Sequence, residues 1–153
     1  MDSQALWGEI AALMRGLKDL NQHAITASGV RCEPAGMHVI GRLHALGSAR
    51  LTELAGSLGL DPSSVSRQVA QVERLGFVTR EEDPLDRRAT RLLLTDKGRA
   101  AAELVSQKRS EALSLLTPGW SDEDRADLAA RLARLSNDLV EHAHLLGREQ
   151  EYA

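Results

Sequence analysis

Aromatic residues are nearly missing from this chain, which has two Trp, one Tyr and one Phe among 153 residues. With Leu and Ala abundant in their place, short connections and many helices are expected. The single cysteine, Cys32, excludes a framework of internal disulfides. No apolar run approaches the roughly 18 residues that would suggest a membrane span. The opening segment MDSQALWGEIAAL carries acids where a secretory signal carries a basic region. A cytoplasmic protein is therefore expected. Catalytic signatures are also missing: there is no nucleophile and base at matching spacing, no Gly-rich phosphate loop and no metal-ligand spacing, so an enzyme finds no support and no cofactor is implied. Nor is there an excess of basic charge, since the formal net charge is −3. Residues 47–100 hold nine Lys and Arg against eight Asp and Glu, and the remainder holds ten against fourteen. So weak a bias carries no nucleic-acid reading, and the direction in which the arginines point must decide.

What is present is helical periodicity. In residues 2–25, Leu6, Ile10, Leu13, Leu17, Leu20 and Ala24 step by alternating fours and threes, the pattern of one long amphipathic helix. The segment SGVRCEP breaks it. Pro34 then opens a second helix through Val39, Ile40, Leu43 and Leu46, which ends at Gly47. Near the other end, Ser121 with Asp124 starts a last helix whose Leu128, Leu132, Leu135, Leu139 and Leu146 form another stripe. Neither terminal stripe has an intrachain partner large enough to cover it. A homodimer built on Leu6, Ile10, Leu13 and Leu17 with Leu128, Leu132, Leu135 and Leu139 is the reading that covers both.

Between the stripes lies LTELAGSLGLDPSSVSRQVAQVERLGF. Leu51, Leu54, Ala55 and Leu58 form one face of a short helix that Gly59 terminates. Asp61 is suited to cap the next helix and Pro62 to occupy its first position. In that second helix Val65, Val69, Val72 and Leu75 form the buried face. Ser63, Arg67, Ala70 and Arg74 fall opposite, flanked by Ser64, Ser66, Gln68 and Gln71. FVTREE and RATRLLLT then read as two strands joined by the turn DPLDR, and Thr95 with Asp96 starts a helix that stops at Pro118.

A short helix, a tight turn, a second helix with a polar outer face and a hairpin make a winged helix-turn-helix. The major groove of double-stranded DNA is about 12 Å wide and admits one helix, so the outer face of that helix must carry short or bidentate polar groups. Ser63, Ser64, Ser66, Arg67, Gln68 and Gln71 meet this need, and Arg74 extends the face toward a phosphate. The hairpin can reach the neighbouring minor groove, about 6 Å wide and strongly negative. Arg88 is expected to probe that groove and Arg87 a phosphate, with Asp86 orienting the Arg88 guanidinium.

LTELAGSLGLDPSSVSRQVAQVERLGFVTREEDPLDRRATRLLLTDKGR, with its Asp-x-Arg wing and Leu-x-Leu-Thr-x-x-Gly at 92–98, resembles the MarR family of bacterial transcriptional regulators. The resemblance extends in spacing to the flanking helices. It implies a mainly α fold with a small β-hairpin wing: an N-terminal dimerisation helix and linker over 1–33, a DNA-binding lobe over 34–100 and C-terminal dimerisation helices over 101–153. It further implies a homodimer that grips a pseudopalindromic operator, usually as a repressor, with a cleft for a small aromatic or anionic ligand. Met37 falls where the family often places a bulky cleft-lining residue, though plain core is the alternative.

Two further readings stay open. A winged helix used for protein interaction without DNA contact would not need Arg67 and Arg88 exposed. Cys32 could serve a redox-sensing repressor, since some relatives use a reactive cysteine, or it could be a small apolar residue at the start of the second helix. Metal sensing finds less support. His142 and His144 lie about 200° apart around a helix, and His38 and His44 also diverge.

Overall fold

The computed structural model describes residues 2–148. Six helices and three strands follow in the order α1 (Ser3–Ser28), α2 (Pro34–Leu46), β1 (Ser48–Ala49), α3 (Leu51–Leu58), α4 (Pro62–Arg74), β2 (Val78–Asp83), β3 (Asp86–Leu94), α5 (Asp96–Leu116) and α6 (Asp122–Arg148). The fold is thus mainly helical with a small antiparallel sheet of strand order β1-β3-β2. Among the described residues no helix is long and apolar enough to cross a membrane. The chain forms two compact units, one up to Ser114 and one from Leu115 onward.

In the first unit, α1 ends at Gly29, which takes the left-handed conformation (φ 69°) and donates its N–H to Thr26 O. Only Ala24 and Ile25 of α1 are buried. The core instead gathers around α2, where Met37, Val39, Ile40 and Leu43 join Leu54 of α3, Val65, Val69 and Val72 of α4, and Leu92 of β3. Of the positions that helical spacing assigns to the inner faces, Leu54, Ala55, Val65, Val69 and Val72 are buried and Leu51 and Leu58 half-buried, whereas Leu75, at the C-cap of α4, is exposed. The turn between α3 and α4 takes three residues. Gly59 (φ 65°) closes α3, and Asp61 accepts the Ser64 N–H at the start of α4.

β1 is too short to leave a periodic signal, and sequence reading misses it. Its two residues pair with Leu93 and Leu92, tying the end of α2 to the hairpin. Gly98 sits where α5 meets the start of that hairpin. A Cβ there would lie 2.0 Å from Phe77 O, so only glycine lets the first turn of α5 rest on the Phe77 backbone. Thr95 fixes the same junction, its hydroxyl donating to Gly76 O (2.7 Å) and accepting from Gly98 N (3.1 Å).

In the second unit, Ser121 and Asp124 cap α6 reciprocally. Asp124 Oδ2 accepts the Ser121 N–H (2.8 Å), and Ser121 Oγ accepts the Asp124 N–H (3.1 Å). Along α6, Leu128, Leu132 and Leu139 are exposed and Leu135 is half-buried. The side chains of His144 and Leu146 lie outside the described residues.

Candidate nucleic-acid interface

The outer face of α4 has the composition that the spacing predicts. Ser63, Arg67 and Arg74 are exposed, while Ser64, Ser66, Gln68 and Gln71 are half-buried along its flanks. The N-terminal turn is ordered by its cap. Asp61 accepts the Ser64 N–H (2.8 Å) and the Ser63 hydroxyl, and these bonds hold its carboxyl far below the usual carboxylate range. Arg67 Nη2 lies 3.3 Å from Ser64 Oγ, to which it donates. Gln68 Oε1 is shielded and has no hydrogen-bond partner among the described residues, leaving one unmet acceptor on the helix.

The wing departs from a regular hairpin. Glu82 pairs with Thr90 while Asp83 pairs with Asp86, so no residue of β2 is paired with Arg87, Arg88 or Ala89. Its cause lies in the two-residue turn, Pro84 and Leu85. Among the described residues none other than glycine takes positive φ, so the turn is not of the primed type that matches strand twist, and the irregularity absorbs the mismatch. Arg87 and Arg88 therefore project from a bulge just past the tip rather than from the tip itself.

Asp86 does not hold the Arg88 guanidinium. Its Oδ1 accepts the Arg88 backbone N–H at 3.0 Å, because a short carboxylate reaches the amide two residues on more readily than the end of a long side chain. It shapes the bulge and leaves the guanidinium free.

The acid that organises the wing is one that sequence reading misses. Asp83 is the only buried charged residue among those described, at 1% exposure. It accepts from Arg50 Nε (2.7 Å), Leu85 N (2.8 Å) and Arg91 Nη1 (3.4 Å). The Arg50 bond first, then the Leu85 amide, brings its pKa down to about 2. Arg50 is the N-cap residue of α3. Arg91 also donates to Ser48 O (3.1 Å) and Ser48 Oγ (2.9 Å). One carboxylate thus joins β1, the start of α3 and both strands of the wing.

These contacts sort the basic residues of the lobe. Arg50 and Arg91 serve Asp83, Arg80 pairs with Glu73 (3.1 Å), Arg99 pairs with Asp96, and Lys97 donates to Leu75 O (2.6 Å) above the Phe77 ring. Arg67, Arg74, Arg87 and Arg88 have no acidic partner among the described residues, and neither has Arg42 on α2. Arg74 is exposed, and as the immediate neighbour of Glu73 on α4 it does not face that carboxylate.

Met37 is a core residue at 1% exposure. Spaced three from Ile40, it belongs to the inner face of α2, and its neighbours Pro34 and His38 line the open groove between α1 and α2 instead. That groove, about 530 Å³, is also lined by Met14, Leu17, Lys18 and Asn21. Asn21 accepts from Arg109 Nε (2.7 Å). Burial alone pushes the Arg109 guanidinium down from its ordinary value. Cys32 is half-buried. Burial first, then nearby Glu33, pushes its thiol up, opposite to the shift that makes a cysteine reactive.

A family model described as "MarR family" matches residues 33–90. The HTH-type transcriptional regulator YsmB of Bacillus subtilis (strain 168), itself described as uncharacterized, is 30% identical over 132 residues, covering 85% of this chain and 86% of that protein. YxaD of the same organism, also an uncharacterized HTH-type transcriptional regulator, is 31% identical over 100 residues, 65% of this chain and 70% of its own length. A MarR family protein from Bacillus stearothermophilus has the same fold, with a TM-score of 0.75 at 23% identity over 92% of this chain and 99% of that one. So does Streptococcus pneumoniae FabT, whose structure was solved in complex with DNA, with a TM-score of 0.71 at 22% identity over 92% and 99%.

Proposed function

This chain belongs to the MarR family of DNA-binding transcriptional regulators, and from that premise we propose that it is a homodimeric, sequence-specific repressor, released from its operator by a small ligand. The observation that carries the DNA contact is the sorting of the lobe's basic residues. Five arginines of the lobe lack an acidic partner among the described residues; Arg42 lies on α2, and the other four are those that sequence reading assigns to the outer helix face and the wing. A protein-interaction module would have no need to keep those four free. In this reading Ser63, Ser64, Ser66, Arg67, Gln68 and Gln71 face the major groove, Arg74 and Arg87 meet phosphates, and Arg88 reaches the minor groove.

The homodimer rests on Leu6, Leu13 and Leu17 of α1 and Leu128, Leu132 and Leu139 of α6, all more than a third exposed in the single chain. Ile10 and Leu135, half-buried, complete the two stripes. Covering such leucines stabilises by about 1.5–3 kcal/mol each. Residues 1–33 and 101–153 then serve dimerisation and 34–100 the operator, and the protein works in the cytoplasm, beside its DNA.

For the ligand, the groove at Met14, Leu17, Asn21 and His38 combines apolar walls with the partly desolvated Arg109 beside Asn21, a setting that favours a small aromatic or aliphatic anion. Enrichment of duplexes from a random pool on the purified protein tests the whole reading. A pseudopalindromic consensus is expected, and a pool that never enriches would contradict it.

A further inference from the structure

Leu85 is the most exposed large apolar side chain among the described residues, at 89%. A lone surface leucine is ordinary. What sets this one apart is that its backbone is held. Its N–H is donated to Asp83 Oδ1 (2.8 Å), and Asp83 is itself buried and gripped by Arg50 and Arg91. Pro84 restricts the preceding φ. The next most exposed large apolar residues, Val140, Leu115 and Leu116, lie at the end of α5 or on α6. Leu85 alone combines such exposure with a place on the DNA-binding lobe, at the wing's outermost turn, between a buried ion cluster and the free arginines at 87 and 88.

We propose that Leu85 is an apolar minor-groove contact that presses against a base step, and that Asp83 is the positioning residue that sets its reach. This rests on the DNA-binding reading above. The minor groove is narrow and negative, so a wing that enters it needs cations along its flanks and, at its tip, a group with no hydration shell to lose. Apolar side chains in that position partly unstack a base step, most cheaply at flexible pyrimidine–purine steps. Asp83 would be repelled by phosphates if it were free. Clamped by two guanidinium groups, it instead ties the tip to the N-terminus of α3 and so fixes the distance from tip to recognition helix.

The test uses the full-length protein and the duplex it selects from a random pool, with 2-aminopurine placed in turn at each base step flanking the major-groove contacts. Binding is followed by anisotropy at several salt concentrations for the wild type, Leu85→Ala, Asp83→Asn and the double variant. Leu85→Ala should weaken specific binding by about tenfold. It should leave the slope of log K against log salt unchanged, because no charge is lost, and abolish the aminopurine fluorescence rise that the wild type gives at one step. Asp83→Asn should weaken binding in the wild type and far less in Leu85→Ala, a non-additivity that a merely structural role would not produce. Binding by Leu85→Ala within twofold of the wild type, with the aminopurine signal intact, would overturn the contact. Additive effects would overturn the positioning role. A pool that yields no enriched duplex is failure of the DNA-binding reading itself and overturns this inference with it.

Discussion

The lobe from α2 to β3 and the terminal helices are both rich in leucine, yet they dispose of their apolar side chains differently. In the lobe Val39, Ile40, Leu43, Leu54, Val65, Val69, Val72 and Leu92 are all at most 1% exposed. In α1 only two residues near the C-terminus are buried, and no described side chain of α6 is. The lobe finishes its core within one chain because α2, α3, α4 and β3 present apolar faces to one another. The terminal helices carry stripes of similar strength that the single chain leaves open. In the function proposed above, the first region reads the DNA and the second is half of a dimer interface.

The largest effect that separates the two comes from removing residues 1–20. The lobe should keep its fold while the dimer is lost, and affinity for the selected duplex should fall by two orders of magnitude or about 3 kcal/mol. Analytical ultracentrifugation checks this, and a soluble dimer of undiminished affinity would break the comparison. Gly98→Ala strikes the other region. With its Cβ forced to within 2.0 Å of Phe77 O, thermal unfolding should show a loss near the upper end of overpacking costs, about 3 kcal/mol. An unchanged melting temperature would show the α5 junction to be looser than described.

Arg67→Ala leaves the core intact and tests what the reader reads. A loss of about 2 kcal/mol on the selected duplex, with little on random sequence, marks a base contact. Equal loss on both would make Arg67 a phosphate contact. The smallest effect concerns acid. The bonds to Asp83 hold its carboxyl at about 2 in the folded chain, below its unfolded value of about 3.9. Its contribution is therefore complete above the unfolded value and lost as pH falls through about 2. The stability gap between the wild type and Asp83→Asn should close over that window, as followed by thermal melts, and a gap independent of pH would place the stabilisation elsewhere.

Most of the reader was legible because helical spacing and capping chemistry are local. Asp61, Pro62 and the four-and-three steps of Val65, Val69 and Val72 specify α4, its start and its buried face without reference to anything distant. Met37 could have been assigned to the core from its distance of three to Ile40. The wing was harder. Alternation along β2 groups Asp83 with Thr79 and Glu81, and only the bulge turns it inward. Its partners Arg50 and Arg91 are 33 and 8 residues away, a convergence that no local pattern records. Asp86 showed the opposite failing. Its nearness to Arg88 suggested a side-chain pair, and the closer backbone amide took the carboxylate.

The central claim, that two copies of this chain present unpaired arginines to one duplex, is tested most directly by titrating the selected duplex at several salt concentrations and measuring stoichiometry by sedimentation. The account predicts two chains per duplex and an affinity that falls steeply and linearly on a log–log plot against salt, at about 0.9 per phosphate contacted. Binding that ignores salt, or a saturating complex with a single chain, would contradict it.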